Sequence, residues 1–138
     1  MLILETHAQL EQLHRLQTGE SLTLEYKASD AIANTERSKD ELVRDVSAFA
    51  NAAGGQIVYG MTERNHAPTG LDAGIDSKRF PGLWFEQVLQ SKVSPAIENL
   101  TIREIPLGND RIAVVINIPA AGSRAPHQAS DGRYYRPP

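Results

Sequence analysis

The sequence predicts an α+β domain in which a mixed, mostly antiparallel sheet is packed by about three helices. Three observations point to it. Residues 38–61, SKDELVRDVSAFANAAGGQIVYGM, read in succession as an amphipathic helix, a glycine stop and a buried strand. Residues 112–116, IAVVI, form an unbroken apolar run of the kind a central strand shows when both its faces are covered. The predicted elements run α-β-α-β-α-β-β-β without internal repeats, an order that fits helices packed on one mixed sheet. At 138 residues the chain reads as a single domain, 1–138, able to bury about two-thirds of its unfolded surface.

In order, residues 6–18 predict a first helix. Thr6 and Gln9 make a capping box, Leu10 and Leu13 lie on a narrow apolar stripe, and Gly19 follows as a stop. So thin a stripe suits a peripheral helix or one that packs on a partner. Residues 22–27 alternate, with Leu22, Leu24 and Tyr26 facing inward and Thr23, Glu25 and Lys27 outward. Residues 28–37 carry no period and read as a loop. A second capping box, Ser38 with Glu41, predicts the start of the central helix. Its apolar face is Leu42, Val46, Phe49, Ala50 and Ala53; Gly54-Gly55 ends it, and a short strand follows. Residues 62–77 read as one long polar connection. Pro81 opens a third helix over 82–92 with Leu83, Phe85, Val88 and Leu89 as its apolar set. Strands over 97–107 and 111–118 are joined by the turn Gly108-Asn109-Asp110. Residues 133–136 predict a last short strand. The ending Arg136-Pro137-Pro138 is abrupt, as if the chain were cut from something longer.

Composition limits the chemistry. There are no cysteines, which excludes disulfides, thiolate catalysis and a cysteine-based zinc site. No apolar run approaches the roughly 20 residues that span a bilayer, and the N-terminus lacks the basic segment of a leader, so the expectation is a cytoplasmic protein off the membrane. The net charge of −3 is unevenly spread: residues 1–50 hold nine acids against five bases, residues 119–138 one against three. A basic end on an acidic domain fits local phosphate contact, and equally ordinary surface scatter.

Glu25 and Lys27 share one strand face. Many metal-dependent nucleases use such a pair, the carboxylate for Mg²⁺ or Mn²⁺ and the lysine for water or phosphate, although a plain solvated strand carries it too. Glu20 lies at an odd offset and reaches Glu25 only from a turn or across a bulge. Glu63 directly follows the central strand; if strands 22–27 and 56–61 are neighbours, it meets Glu20 and Glu25. Three such acids would repel strongly without a divalent cation between them. Arg124, His127, Arg133 and Arg136, interleaved with Tyr134 and Tyr135, have the composition of a single-strand-binding surface, as does a strand whose tyrosines are half in the core. Lys39, Arg44 and Arg64 complete the candidate nucleic-acid contacts. His7, His14 and His66 show no ligand-like spacing and read as surface residues. No phosphate loop and no Ser–His–Asp arrangement is present.

Taken together, Glu20-Ser21, Glu25-Tyr26-Lys27, Ser47-Ala48-Phe49-Ala50-Asn51, Gly54-Gly55, Ile57, Gly60-Met61, Gly70, Ile118-Pro119, Arg124-Ala125-Pro126-His127 and Asp131-Gly132-Arg133-Tyr134-Tyr135 resemble the Schlafen-type, AlbA-like DNA-binding domain over about residues 18–136. The resemblance implies nucleic-acid binding, with tRNA or other structured RNA as first partner and DNA as second. It also implies metal-dependent endoribonuclease activity, in which Glu20, Glu25 and Glu63 hold Mg²⁺ or Mn²⁺ and Lys27 stabilises phosphate charge. Glu63 stands where an aspartate is more usual. The zinc site of vertebrate members needs cysteines that are missing here. Those members carry two such lobes, so a single lobe implies a homodimer, with the first helix as a contact. Prokaryotic members commonly precede an ATPase-like or winged-helix region, which would lie C-terminal to this chain. The competing expectation is a non-catalytic DNA/RNA-binding module of a transcriptional regulator or helicase-like protein. A third is an interaction domain that has lost nucleic acid.

Overall fold

A computed structural model describes residues 1–121, 127–129 and 131–135. The organising element is β8 (Arg111–Ile118), whose residues 112–116 are buried throughout, as the apolar run requires. One of its edges pairs antiparallel with β7 (Thr101–Gly108); the other is shared end to end by β2 (Gly55–Tyr59) and β5 (Ile75–Asp76). β1 (Leu24–Lys27) then adds parallel to β2, which requires a crossover, and α2 (Glu36–Ala50) supplies it.

Side-chain alternation along β2 and β8 divides the core between two faces. Ile57, Tyr59, Val114 and Ile116 meet Leu42, Val46 and Phe49 of α2 and Phe85 of α3 (Gly82–Lys92). Val58 and Val115 join Tyr26, Met61 and Ile105 beneath Leu10 and Leu13 of α1 (His7–Arg15). The first helix is therefore part of the core. It carries the expected Thr6–Gln9 capping box but ends at Leu16, with Gln17 rather than Gly19 taking the left-handed conformation (φ 51°).

Other expectations also change. α2 is capped by Thr35, whose hydroxyl accepts the Ser38 N–H; Ser38 lies inside the helix, and its buried hydroxyl donates to Ala31 O at 2.7 Å. That bond stitches α2 to a 3₁₀ turn, Ser29–Ala31, within the segment expected to be a plain loop. Residues 62–77 are not one long connection. β3 (Met61–Arg64) and β4 (Ala67–Leu71) form a hairpin around Asn65-His66, both with positive φ, as a two-residue turn of primed type demands. α3 spans the predicted residues, although Leu83 is exposed. β7 begins at Thr101 rather than at 97. Near the C-terminus, β6 (Val93–Ser94) pairs with β9 (Gln128–Ala129), and Tyr134 makes only an isolated bridge to Gln128 instead of the last strand expected over 133–136. Among the described residues no helix is long and apolar enough to cross a membrane.

Candidate functional site

The site forms where β1, the C-terminal half of α2 and the β3–β4 hairpin converge, and two glycines bring them close. A Cβ on Gly54 would lie 2.5 Å from Ile118 O, and one on Gly55 2.6 Å from the Phe49 ring and 2.8 Å from Thr23 O. The chain can leave α2 and enter β2 this tightly only without side chains at both positions. β1 is thereby held beside α2.

Alternation decides where the side chains of β1 go. Leu24 and Tyr26 enter the α1-side core, so Glu25 and Lys27 face α2. There the Lys27 ammonium lies 3.1 Å from Glu25 Oε1 and 3.4 Å from Asp45 Oδ2. Asp45 also meets Arg44 Nε at 3.6 Å. Burial, seconded by the Asp45 charge, raises the Glu25 carboxyl above its ordinary range against the pull of Lys27. Burial alone would lower the Lys27 ammonium, but Asp45 and Glu25 outweigh it and hold it above its usual range. Lys27 is thus a cation at neutral pH.

Glu20 lies on the outer edge of β1. Its Oε2 accepts the Tyr26 N–H at 2.8 Å, which satisfies an edge-strand donor, and its Oε1 is 2.9 Å from His66 Nδ1. Burial and the Glu20 charge push the Tyr26 hydroxyl up to about 12; that hydroxyl donates to Thr18 O. In the hairpin the pairing register slips between Thr62 and Glu63, and Glu63 Oε2 accepts the His66 N–H at 3.0 Å. Glu20, Glu63 and His66 each offer a ligand atom, and these atoms lie within 4.8 Å of one another, an arrangement able to hold a metal ion. Glu25 is not in this group. The Glu20 hydrogen bond and charge raise the His66 imidazole above its ordinary value.

A cleft of about 490 Å³ runs between these two clusters, lined by Glu20, Glu25, Arg44, Asp45, His66 and Tyr135. Tyr135 is half-buried, its hydroxyl donating to Asp131 Oδ2 at 2.5 Å and its carbonyl accepting from the Asn51 side chain. Of the other predicted nucleic-acid contacts, Lys39 pairs with Glu36 at 3.8 Å and Arg64 is exposed at the end of β3; neither lines the cleft. Arg133 is exposed on the segment that carries Tyr135. His127 does not present its ring to a ligand: it is 3% exposed, with Nδ1 2.6 Å from Pro95 O and its N–H donated to Asn51. Arg124 and Arg136 lie outside the described residues.

Two members of the site escaped sequence reasoning. Asp45 stands three residues after Leu42 and four before Phe49, on the apolar face of α2, where an acid needs a partner; that was the available signal. His66 had none, because its role depends on the hairpin.

The family described as Schlafen, AlbA_2 matches residues 20–137. No curated protein matches the sequence. Among solved structures, the chain is similar to the DIP2311 protein from Corynebacterium diphtheriae, at 17% identity and a TM-score of 0.59. That alignment covers 84% of this chain but only 23% of DIP2311. It is also similar to the N-terminal domain of a protein related to the ATP-dependent DNA helicase RecG from Nitrosomonas europaea, at 15% identity and a TM-score of 0.57, covering 94% and 88% of the two chains. At these identities the likeness speaks for the fold, while the family match, over most of the sequence, places this chain in the Schlafen, AlbA_2 family.

Proposed function

We propose that this domain binds nucleic acid along the Arg44–Tyr135 cleft and cleaves RNA there with the help of a divalent cation, tRNA or other structured RNA being preferred over DNA. The observation that carries this reading is the convergence of Glu20 and Glu63, from separate elements, beside a cleft lined by Glu20, His66, Glu25 and Asp45, the last two of which hold Lys27 between them. Their hard oxygen donors suit Mg²⁺ or Mn²⁺. A cation held by Glu20 and Glu63 would supply an activated water and screen phosphate charge. Lys27 meets phosphate as a cation, so its part is electrostatic and not that of a base. Arg44 offers a guanidinium to the phosphate backbone and Tyr135 a ring to a base. The reading extends to a cytoplasmic homodimer that rebuilds a two-lobed clamp, followed in a longer protein by an ATPase-like or winged-helix region.

One observation favours a second reading, a non-catalytic module of a helicase-related or regulatory protein. Glu20 already satisfies Tyr26 and His66, and Lys27 already satisfies Glu25 and Asp45, so each has a structural occupation. Incubation with total tRNA and Mn²⁺ or Mg²⁺ separates the two. Discrete cleavage abolished by EDTA and by Glu20→Ala supports the nuclease. Intact tRNA that shifts on a native gel in a salt-sensitive way makes the domain a binding module.

A further inference from the structure

The family pattern would make Glu25 the third cation ligand, but the geometry points elsewhere. We infer that His66 completes the site with Glu20 and Glu63, that Glu25 stays outside it, and that the site prefers Mn²⁺ to Mg²⁺. This rests on the cation reading above and refines which side chains hold the ion.

Glu25 lines the same cleft as Glu20 but lies outside the group of ligand atoms that Glu20, Glu63 and His66 bring within 4.8 Å of one another. It shares a register position with Ile57, faces α2, and its Oε1 is taken up by Lys27 at 3.1 Å. Glu20 precedes the strand and lies on its outer edge, where it holds the Tyr26 N–H. The hairpin turn is delivered to that same edge, and His66 joins both remaining acids. Its carbonyl accepts the Glu20 N–H at 2.7 Å, its N–H donates to Glu63 Oε2 at 3.0 Å, and its ring Nδ1 meets Glu20 Oε1 at 2.9 Å. The two main-chain bonds fix the histidine relative to both carboxylates whichever ring tautomer is present. The side chain is 82% exposed, open to an ion from solvent. Chemically, one imidazole nitrogen with two carboxylate oxygens is a different donor set from three carboxylates. All-oxygen sets suit Mg²⁺, whereas imidazole favours first-row transition ions, and Mn²⁺ accepts both donor types.

The test uses metal alone. Mn²⁺ binding is followed by electron paramagnetic resonance, with pulsed detection of nitrogen hyperfine coupling, in the intact protein and in Glu25→Gln and His66→Asn. Asparagine tolerates the left-handed conformation at this position, so the turn is kept. The expected result is nitrogen coupling to Mn²⁺ in the wild type and in Glu25→Gln. His66→Asn should lose that coupling and bind Mn²⁺ about tenfold more weakly, while Glu25→Gln binds nearly as the wild type does. Mg²⁺ should displace Mn²⁺ only in excess. Absence of Mn²⁺ binding or of nitrogen coupling in the wild type overturns the assignment, as does Glu25→Gln weakening Mn²⁺ as much as His66→Asn. The result is independent of catalysis. Nitrogen-coupled Mn²⁺ without RNA cleavage leaves this site standing and removes the nuclease; cleavage without nitrogen coupling does the reverse.

Discussion

At the scale of single residues, the bond between His66 and Glu20 has a definite pH signature. The folded-state imidazole titrates above its unfolded value because the Glu20 carboxylate accepts a hydrogen bond from the protonated ring and its charge favours that form. Its contribution to stability is therefore complete below the unfolded value of about 6.5 and fades as pH rises through the higher folded one. An NMR titration of the His66 ring should give an apparent value above that of a free histidine, and Glu20→Gln should bring it back. A different residue offers a gain in stability. Ser47 Oγ is buried without a hydrogen-bond partner, alone in this among the described side chains. Ser47→Ala removes a desolvated hydroxyl and adds helix propensity, so urea unfolding should show a stabilisation of about 1 kcal/mol. Neither effect was legible in the sequence. Ser47 enters there only as part of the family motif, and His66 as a surface residue, because hydrogen-bond partners from other elements are invisible in one dimension.

At the scale of elements, the helix-to-strand passage at Gly54-Gly55 was legible because an apolar helical period gives way to a β-prone run across two glycines. The reason for the second glycine was not. Gly55 has ordinary backbone angles and is required by the approach of Phe49 and Thr23. Gly55→Ala should therefore cost about 2–3 kcal/mol, since Thr23 O is backbone and cannot give way easily; a lower thermal midpoint would register it. The start of α2 was misplaced for a related reason. Thr35 and Ser38 both have capping chemistry, and only the bond from Ser38 to Ala31 shows which of them is used inside the fold. The β3–β4 hairpin went unread because Asn65-His66 takes left-handed angles without the glycine that usually announces them. The first helix looked peripheral since its stripe is narrow, yet that stripe is what covers Val58 and Val115. The motif supplied Glu20, Glu25, Glu63 and Lys27 as one expected group. The division into two clusters needed the strand alternation and the hairpin together.

At the scale of the whole molecule, the sheet offers little to a second copy of itself. The outer edge of β1 is occupied by Glu20 and the turn. The opposite edge strand, β7, carries exposed Arg103, Glu104 and Pro106, features that discourage edge-to-edge pairing. The expected homodimer would then use another surface. The charge distribution carries a prediction as well. The cleft is lined by Glu20, Glu25 and Asp45 against one base, Arg44; Lys27 pairs with two of those acids, and Arg133 is exposed on the segment that carries Tyr135. Three phosphate contacts on single-stranded RNA correspond to a slope of about −2 in log affinity against log salt. Fluorescence anisotropy across salt concentrations measures it, and a slope near zero would mean that phosphate is not being read at all.

The position of β8 has a consequence in time. It is the strand on which both faces of the core close, yet it follows β2, β5 and β7, the strands that pair with it, in sequence. A ribosome releasing this protein exposes α1, β1, α2 and β2 well before their central partner exists. These contacts are distant in sequence, so folding waits on late, long-range pairing and is slow for a domain of this size. Until β8 arrives, the apolar faces of the nascent chain are open to whatever else is in the cell, and protection by chaperones matters most in that interval.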